Sequence, residues 1–278
     1  MTMPPSERRR FAARRTLITG ASSGIGEEFA RALAARGSDL VLVARRADRL
    51  QKLADELTEK FGVDCTVVPF DLATDNPGET LRAQVDGEID LLINNAGFAT
   101  QGLFVDTDPA DYRTEIAVDV LAVVDLTRAF MPAMIERGRG GIINVSSTTA
   151  FQPVPSLAVY SASKAFVLSF SQSLWHEARK HGITAFTLAP GPTRTEFFDV
   201  IGDDASVVGS FQTPQQVVAT GLRALDRRRP PPHVVSGRRN SIAAHLAGLV
   251  PRRILVPALD RAMHPTTSSD RGGNRVHP

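Results

Sequence analysis

Thr16-Leu17-Ile18-Thr19-Gly20-Ala21-Ser22-Ser23-Gly24-Ile25-Gly26 decides the fold. The first four residues form an apolar run that predicts a short strand. The glycines predict a tight turn, and the amphipathic pattern that follows predicts a helix to about Arg36. A strand, a glycine turn and a helix in that order present backbone N–H groups and a helix N-terminus to a phosphate. Glycine lets the backbone turn sharply and approach a pyrophosphate closely. The spacing here is Thr-Gly-x-x-x-Gly-x-Gly, which differs from Gly-x-Gly-x-x-Gly. Such a turn also serves any tight strand-to-helix connection, but its place straight after the first strand favours a dinucleotide.

Further along, apolar runs and amphipathic stretches alternate. Leu40–Ala44 predicts a second strand, and a charged amphipathic helix runs from about Ala47 to Phe61. Strands follow at Cys65–Phe70, Leu91–Ile93, Gly141–Val145, Ile183–Ala189 and His233–Val235. Helices are predicted from about Pro109 to Arg137, from the Tyr160 region to about His181, and from Thr213-Pro214. This alternation predicts an α/β fold with one doubly wound parallel sheet. In such sheets ligands bind at the C-terminal ends of the strands. The polar groups there are Arg45-Arg46, Asp71-Leu72, Asn94-Asn95-Ala96-Gly97, Ser146-Ser147 and Pro190-Gly191-Pro192-Thr193-Arg194-Thr195. An acid after the second strand would take a ribose 2′-hydroxyl, whereas an arginine accommodates a 2′-phosphate. Arg45 stands at that position with Arg46 beside it, which favours NADP(H) over NAD(H); Asp48 is the counter-candidate, at a helix start that also explains an acid.

Tyr160 and Lys164 are four residues apart, so they share one face of a helix. A phenol has a reference pKa of about 10, and a nearby ammonium lowers it. That pairing makes Tyr160 a candidate general acid/base. The same helix is apolar on more than one side, through Val159, Ala162, Phe166, Phe170 and Leu174 and also Ala165, Leu168 and Trp175. It therefore predicts burial against both its own sheet and a partner subunit.

The bulk properties are those of a globular protein. The chain has 278 residues, 42% hydrophobic and 22% charged, with a net charge of +2. So small a charge gives no global attraction for nucleic acid. The arginine clusters at 8–15 and 227–229 read as solvated edges. Cys65, the single cysteine, excludes an intrachain disulfide and reads as a core residue. No metal cluster is expected: His176 and His181 are five apart, which does not put them on one helical face. Neither a signal-peptide core nor a run of transmembrane length is seen, so a reducing cytoplasm is expected. Residues 1–14 read as a disordered basic arm, 15–237 as the sheet domain, 238–264 as an amphipathic extension and 265–278 as a disordered tail. The extension, broken near Pro251 and flanked by arginines, has three uses open to it. It covers the substrate pocket, packs on another subunit, or lies on a membrane surface.

Taken together, these residues resemble the short-chain dehydrogenase/reductase superfamily over about residues 14–237. The likeness rests on Thr19–Gly26, Asp71, Asn94–Gly97, Ser147, Tyr160-x-x-x-Lys164 and Pro190-Gly191. The resemblance implies that Gly20, Ser22, Ser23, Gly24, Ile25 and Gly26 surround the cofactor phosphates. Asp71 and Leu72 would meet the adenine. Asn95, Ala96 and Gly97 would line the cleft, and Pro190, Gly191, Thr193 and Thr195 would border the nicotinamide. Tyr160 would transfer a proton, Lys164 would hold the ribose and lower the Tyr160 pKa, and Ser147 would bind the substrate oxygen. The implied reaction is hydride transfer between nicotinamide and a carbonyl or alcohol carbon, by a homodimer or homotetramer.

One departure from the family pattern is Asp119, which stands where many members have an asparagine in the proton relay. A carboxylate only accepts hydrogen bonds, but its charge would hold Lys164 as ammonium, and activity is expected to be retained. Phe98, Phe151, Val154, Pro155, Phe197 and Phe198 are the expected pocket walls, which lean towards an apolar small-molecule carbonyl substrate. NAD(H) dependence and a catalytically weak cofactor-binding regulator are the alternatives. Methyl transfer from S-adenosylmethionine leaves Ser147, Tyr160 and Lys164 without a purpose.

Overall fold

The computed structural model describes residues 11–196 and 210–263. Seven strands form one sheet: β1 (Arg15–Thr19), β2 (Asp39–Ala44), β3 (Cys65–Pro69), β4 (Leu91–Asn94), β5 (Gly140–Val145), β6 (Ile183–Ala189) and β7 (His233–Val235). Their order is β3-β2-β1-β4-β5-β6-β7 and every pairing is parallel. The central strands are mostly apolar because helices cover both faces, with Thr16, Asn94, Asn144 and Thr187 among the few buried polar side chains. Successive side chains then point to opposite faces. Ile18, Leu40, Leu42, Leu91, Ile93 and Ile143 pack on one face against α1 (Gly24–Ala34), α2 (Ala47–Phe61) and α7 (Pro214–Leu225). Leu17, Val41, Val43, Leu92 and Ile142 pack on the other face. Their partners there are α3 (Pro77–Gln84), α5 (Ala122–Glu136) and α6 (Ala158–Arg179).

β1 lies between β2 and β4, so the connections leave it in opposite directions. That reversal opens a crevice beyond the strand C-termini. Defined helix ends set the connections on both edges of the sheet. α2 ends at Gly62, which is left-handed with φ 66°. α7 begins in a capping box: Gln216 N–H bonds the Thr213 hydroxyl, and the Gln216 side chain accepts from Thr213 N–H at 3.1 Å.

Two sequence expectations change, for the long helix and for Cys65. The single helix from Pro109 to Arg137 is instead α4 (Pro109–Ile116), a π-helical turn (Ala117–Leu121) and α5. The turn carries Asp119, and such widened turns occur often at functional sites. The C-terminal extension begins at Arg238. It forms α8 (Arg238–Ala247) and α9 (Arg252–Met263) on either side of Pro251. Cys65 is only half-buried at the start of β3, where burial still pushes its thiol pKa up. On α6, Phe166 is 44% exposed and stacks on Phe170 at 6.1 Å. Among the described residues no helix is long and apolar enough to cross a membrane.

Candidate active site

The glycine turn has its shape because side chains have no room in it. Gly20 (φ +66°) and Gly24 (φ +60°) take backbone angles that other residues rarely adopt. A Cβ on Gly20 would lie 2.9 Å from Ala96 Cα, and one on Gly26 would lie 2.6 Å from Asn95 Nδ2. Asn95 fastens the turn to β1 by donating from Nδ2 to Thr19 O at 2.9 Å. Thr19 Oγ1 accepts the N–H groups of Asn95 (2.9 Å) and Ala96 (3.0 Å). Thr19 is thus a positioning residue that was visible only as part of a motif.

A cavity of about 510 Å³ fills the crevice. It brings together Gly20, residues 22–25, Arg45, Arg46, Asp71, Leu72 and residues 95–98. From the other half come Ser147, Tyr160, Lys164, Pro190, Gly191, Thr193 and Thr195. Asp48 does not border it. Gly26 is behind the turn, packed on the Gly20 carbonyl, rather than on the cavity wall. At the basic end, Arg46 donates to Ser22 Oγ (3.0 Å) and Ser23 Oγ (2.9 Å) and pairs with Glu196 at 2.9 Å. Arg49 pairs with the same carboxylate. Hydrogen bonds from both arginines hold the Glu196 pKa below the usual carboxylate value. The sequence offered no sign of Glu196, because its partners lie about 150 residues away in the chain.

The reactive end is built on α6 and β5. The helical spacing puts Tyr160 and Lys164 on one face, with Lys164 Nζ 5.4 Å from the phenol ring centre. Ser147, at the end of β5, hydrogen-bonds the Tyr160 side chain. Ser146 Oγ donates to the Lys164 carbonyl at 2.7 Å and ties β5 to α6. Lys164 Nζ lies 2.8 Å from Asp119 Oδ2, and Asp119 is wholly buried. Asp119 Oδ1 accepts the Phe98 N–H at 3.1 Å. Gly97 lies directly over the pair; a Cβ there would be 2.8 Å from Asp119 Oδ1 and 2.9 Å from Lys164 Nζ.

Burial pushes the Asp119 pKa up against the pull of Lys164. For Lys164 burial acts downward, but Asp119, Tyr160 and Glu115 together outweigh it and hold the ammonium above its ordinary value. Lys164 acts on the Tyr160 pKa in the expected downward direction, but the net shift is upward. Burial raises the phenol first, Lys164 and Ser147 lower it, and Asp119 and Glu115 raise it again. The sequence reading weighed the ammonium and left out burial and the two acids. Glu115 is also fully buried, accepts the Thr100 N–H at 3.0 Å, and has its own pKa raised by burial.

The expected substrate walls divide. Phe98 and Val154 border the cavity, joined by Leu157 and by Leu259 of α9, from the extension. Phe151 and Pro155 do not. The Phe151 ring packs instead on His233 (5.6 Å between centres) and His245 (6.0 Å), because the 3-10 turn Thr148–Phe151 carries it towards β7 and α8. Phe197 and Phe198 lie outside the described residues. Among the described residues no group of three or more His, Cys, Asp or Glu could hold a metal ion.

Known proteins share this arrangement. The family model for short chain dehydrogenase matches residues 14–206. A very-long-chain 3-oxoacyl-CoA reductase of Bos taurus is 36% identical over 179 residues, covering 63% of this chain and 57% of its own. The chain therefore spans a little over half the length of that curated relative. A short-chain dehydrogenase from Sphingobium yanoikuyae, solved with NADPH, is 32% identical with TM-score 0.76 over 94% of this chain and 99% of its own. A bulky-bulky ketone specific alcohol dehydrogenase from Comamonas testosteroni is 27% identical with TM-score 0.73 over 95% and 99%. With its parallel sheet, glycine turn and buried Tyr-Lys pair, the chain belongs to the short-chain dehydrogenase/reductase family of oxidoreductases.

Proposed function

We propose that the protein is an NADP(H)-dependent reductase of carbonyl compounds with an apolar body. What carries the reading is the union in one cavity of a phosphate-sized glycine turn, two arginines after β2, and Ser147 beside Tyr160. The residues fit a dinucleotide: Gly20 and Gly24 clear the backbone for a diphosphate, and the N-terminus of α1 faces it. Arg45 and Arg46, with Ser22 and Ser23, form a cationic corner suited to a 2′-phosphate. The NADPH-bound relative adds support. The bound nicotinamide would supply the hydride.

The chain's own residues handle the proton and the geometry. Ser147 Oγ holds the substrate oxygen and Tyr160 donates its hydroxyl proton to that oxygen. The raised phenol pKa leaves Tyr160 protonated at neutral pH, the form that donates to the substrate oxygen. Lys164, fixed by Asp119, keeps a positive charge next to the phenolate left after transfer. Phe98, Val154 and Leu157 provide the apolar wall.

Turnover of NADPH and NADH with a panel of ketones tests the reading. NADPH is expected to be preferred, and Arg45→Asp should shift the preference towards NADH. Equal use of both cofactors by the wild type would count against the NADP(H) assignment. NADPH binding without turnover on any carbonyl would favour a cofactor-binding regulator instead.

A further inference from the structure

A second cavity adjoins the first just beyond Ser147. It is about 250 Å³ and lies between α8, α9 and the turn at Thr148. Thr148, Gln152 and Leu259 border both spaces, so the two meet at a common wall. Its other walls include Ala243, Leu246, Ala247, Val250 and Leu255. None of its lining residues is charged. Asn240, one of its few polar members, is already engaged. It donates to Ser210 O (3.1 Å) and Ser236 O (3.2 Å) and accepts the Ser210 N–H at 2.8 Å. Thr148 and Gln152 stand at the wall shared with the first cavity; beyond them a charged or hydroxylated group would lose water without gaining partners. An alkyl chain has no such loss. With each methylene taken as about one water's share of ~30 Å³, the space holds on the order of eight carbons. Leu246 and Val250 are exposed, so the outer end opens to solvent.

We propose that this second cavity seats the apolar tail of the substrate. A straight alkyl or acyl chain runs from the carbonyl at Ser147 and Tyr160, past Thr148, Gln152 and Leu259, into the space between α8 and α9. The proposal rests on the carbonyl-reductase reading and extends it to a substrate class.

The test is calorimetric titration of straight-chain methyl ketones (butanone, hexanone, octanone) into the full chain loaded with NADP⁺. Each added methylene should tighten binding about four-fold in the wild type. Ala243→Phe, on an exposed stretch of α8, fills the cavity and should flatten that slope. Val250→Trp, at the open end, is a second filling variant should the first fold poorly. A flat series in the wild type overturns the proposal, as does an undiminished slope in both filled variants. Turnover is read separately: tight, length-dependent binding with no NADPH oxidation would sink the reductase reading while leaving the tail site standing.

Discussion

At Asp119 a single carboxylate sets the charge balance of the reactive end. It holds Lys164 as ammonium and also opposes that ammonium's effect on Tyr160. Asp119→Asn removes the negative charge, so the Tyr160 pKa should fall. Reduction needs the protonated phenol, and activity is lost as pH rises through that pKa. The alkaline limb of kcat/KM should therefore move to lower pH, with turnover retained; an unmoved limb would show that Asp119 does not act on the phenol. The same pair gives a sign for stability. Lys164 is raised, so its contribution is complete below the ordinary lysine value and is lost as pH climbs through the raised one. Glu196 is a second decisive residue, because it occupies the Arg46 guanidinium that a 2′-phosphate would need. Exposed ion pairs are worth about 0.2–1 kcal/mol. Glu196→Gln should thus tighten NADPH binding a few-fold, read by nicotinamide fluorescence, and leave NADH unchanged; equal effects on both cofactors would argue against this competition.

The π turn and the β4 loop act as one element. The widened turn carries Asp119 to Lys164, and Gly97 leaves just enough room above them. Gly97→Ala should displace the pair and cost about 1–3 kcal/mol, the usual range for overpacking. Turnover should fall with it; a thermal melt and activity equal to wild type would show that the loop yields freely. These elements also show where the sequence was readable. Strands β1–β7 could be read because burial on both faces makes the central ones mostly apolar. The Tyr160–Lys164 pair could be read because helical spacing is local. The π turn could not, since a single widened turn leaves the apolar pattern of its helix nearly unchanged. Phe151 was misplaced because a short 3-10 turn sets its direction, and no periodicity reports that. Tyr160's pKa was misjudged for a related reason: Glu115, Asp119 and the depth of burial converge on it only in the folded chain.

For the whole molecule, the sheet brings every strand-end motif to one crevice, while α8 and α9 add walls that no motif announced. Leu121 on the π turn and Phe166 on α6 are each more than 40% exposed. Exposed apolar side chains of this size suit contact with a second copy of the chain, and we expect a homo-oligomer by sedimentation; Phe166→Asp should shift it to monomer, and a wild type already monomeric would contradict this. The central claim is that Tyr160 delivers the proton beside a bound dinucleotide. Its most direct test is single-turnover oxidation of prebound NADPH by Tyr160→Phe with a ketone that the wild type reduces. The account predicts NADPH affinity within a few-fold of wild type and a rate lower by about 10²–10⁴. A rate within a few-fold of wild type, with the cofactor equally bound, would contradict it.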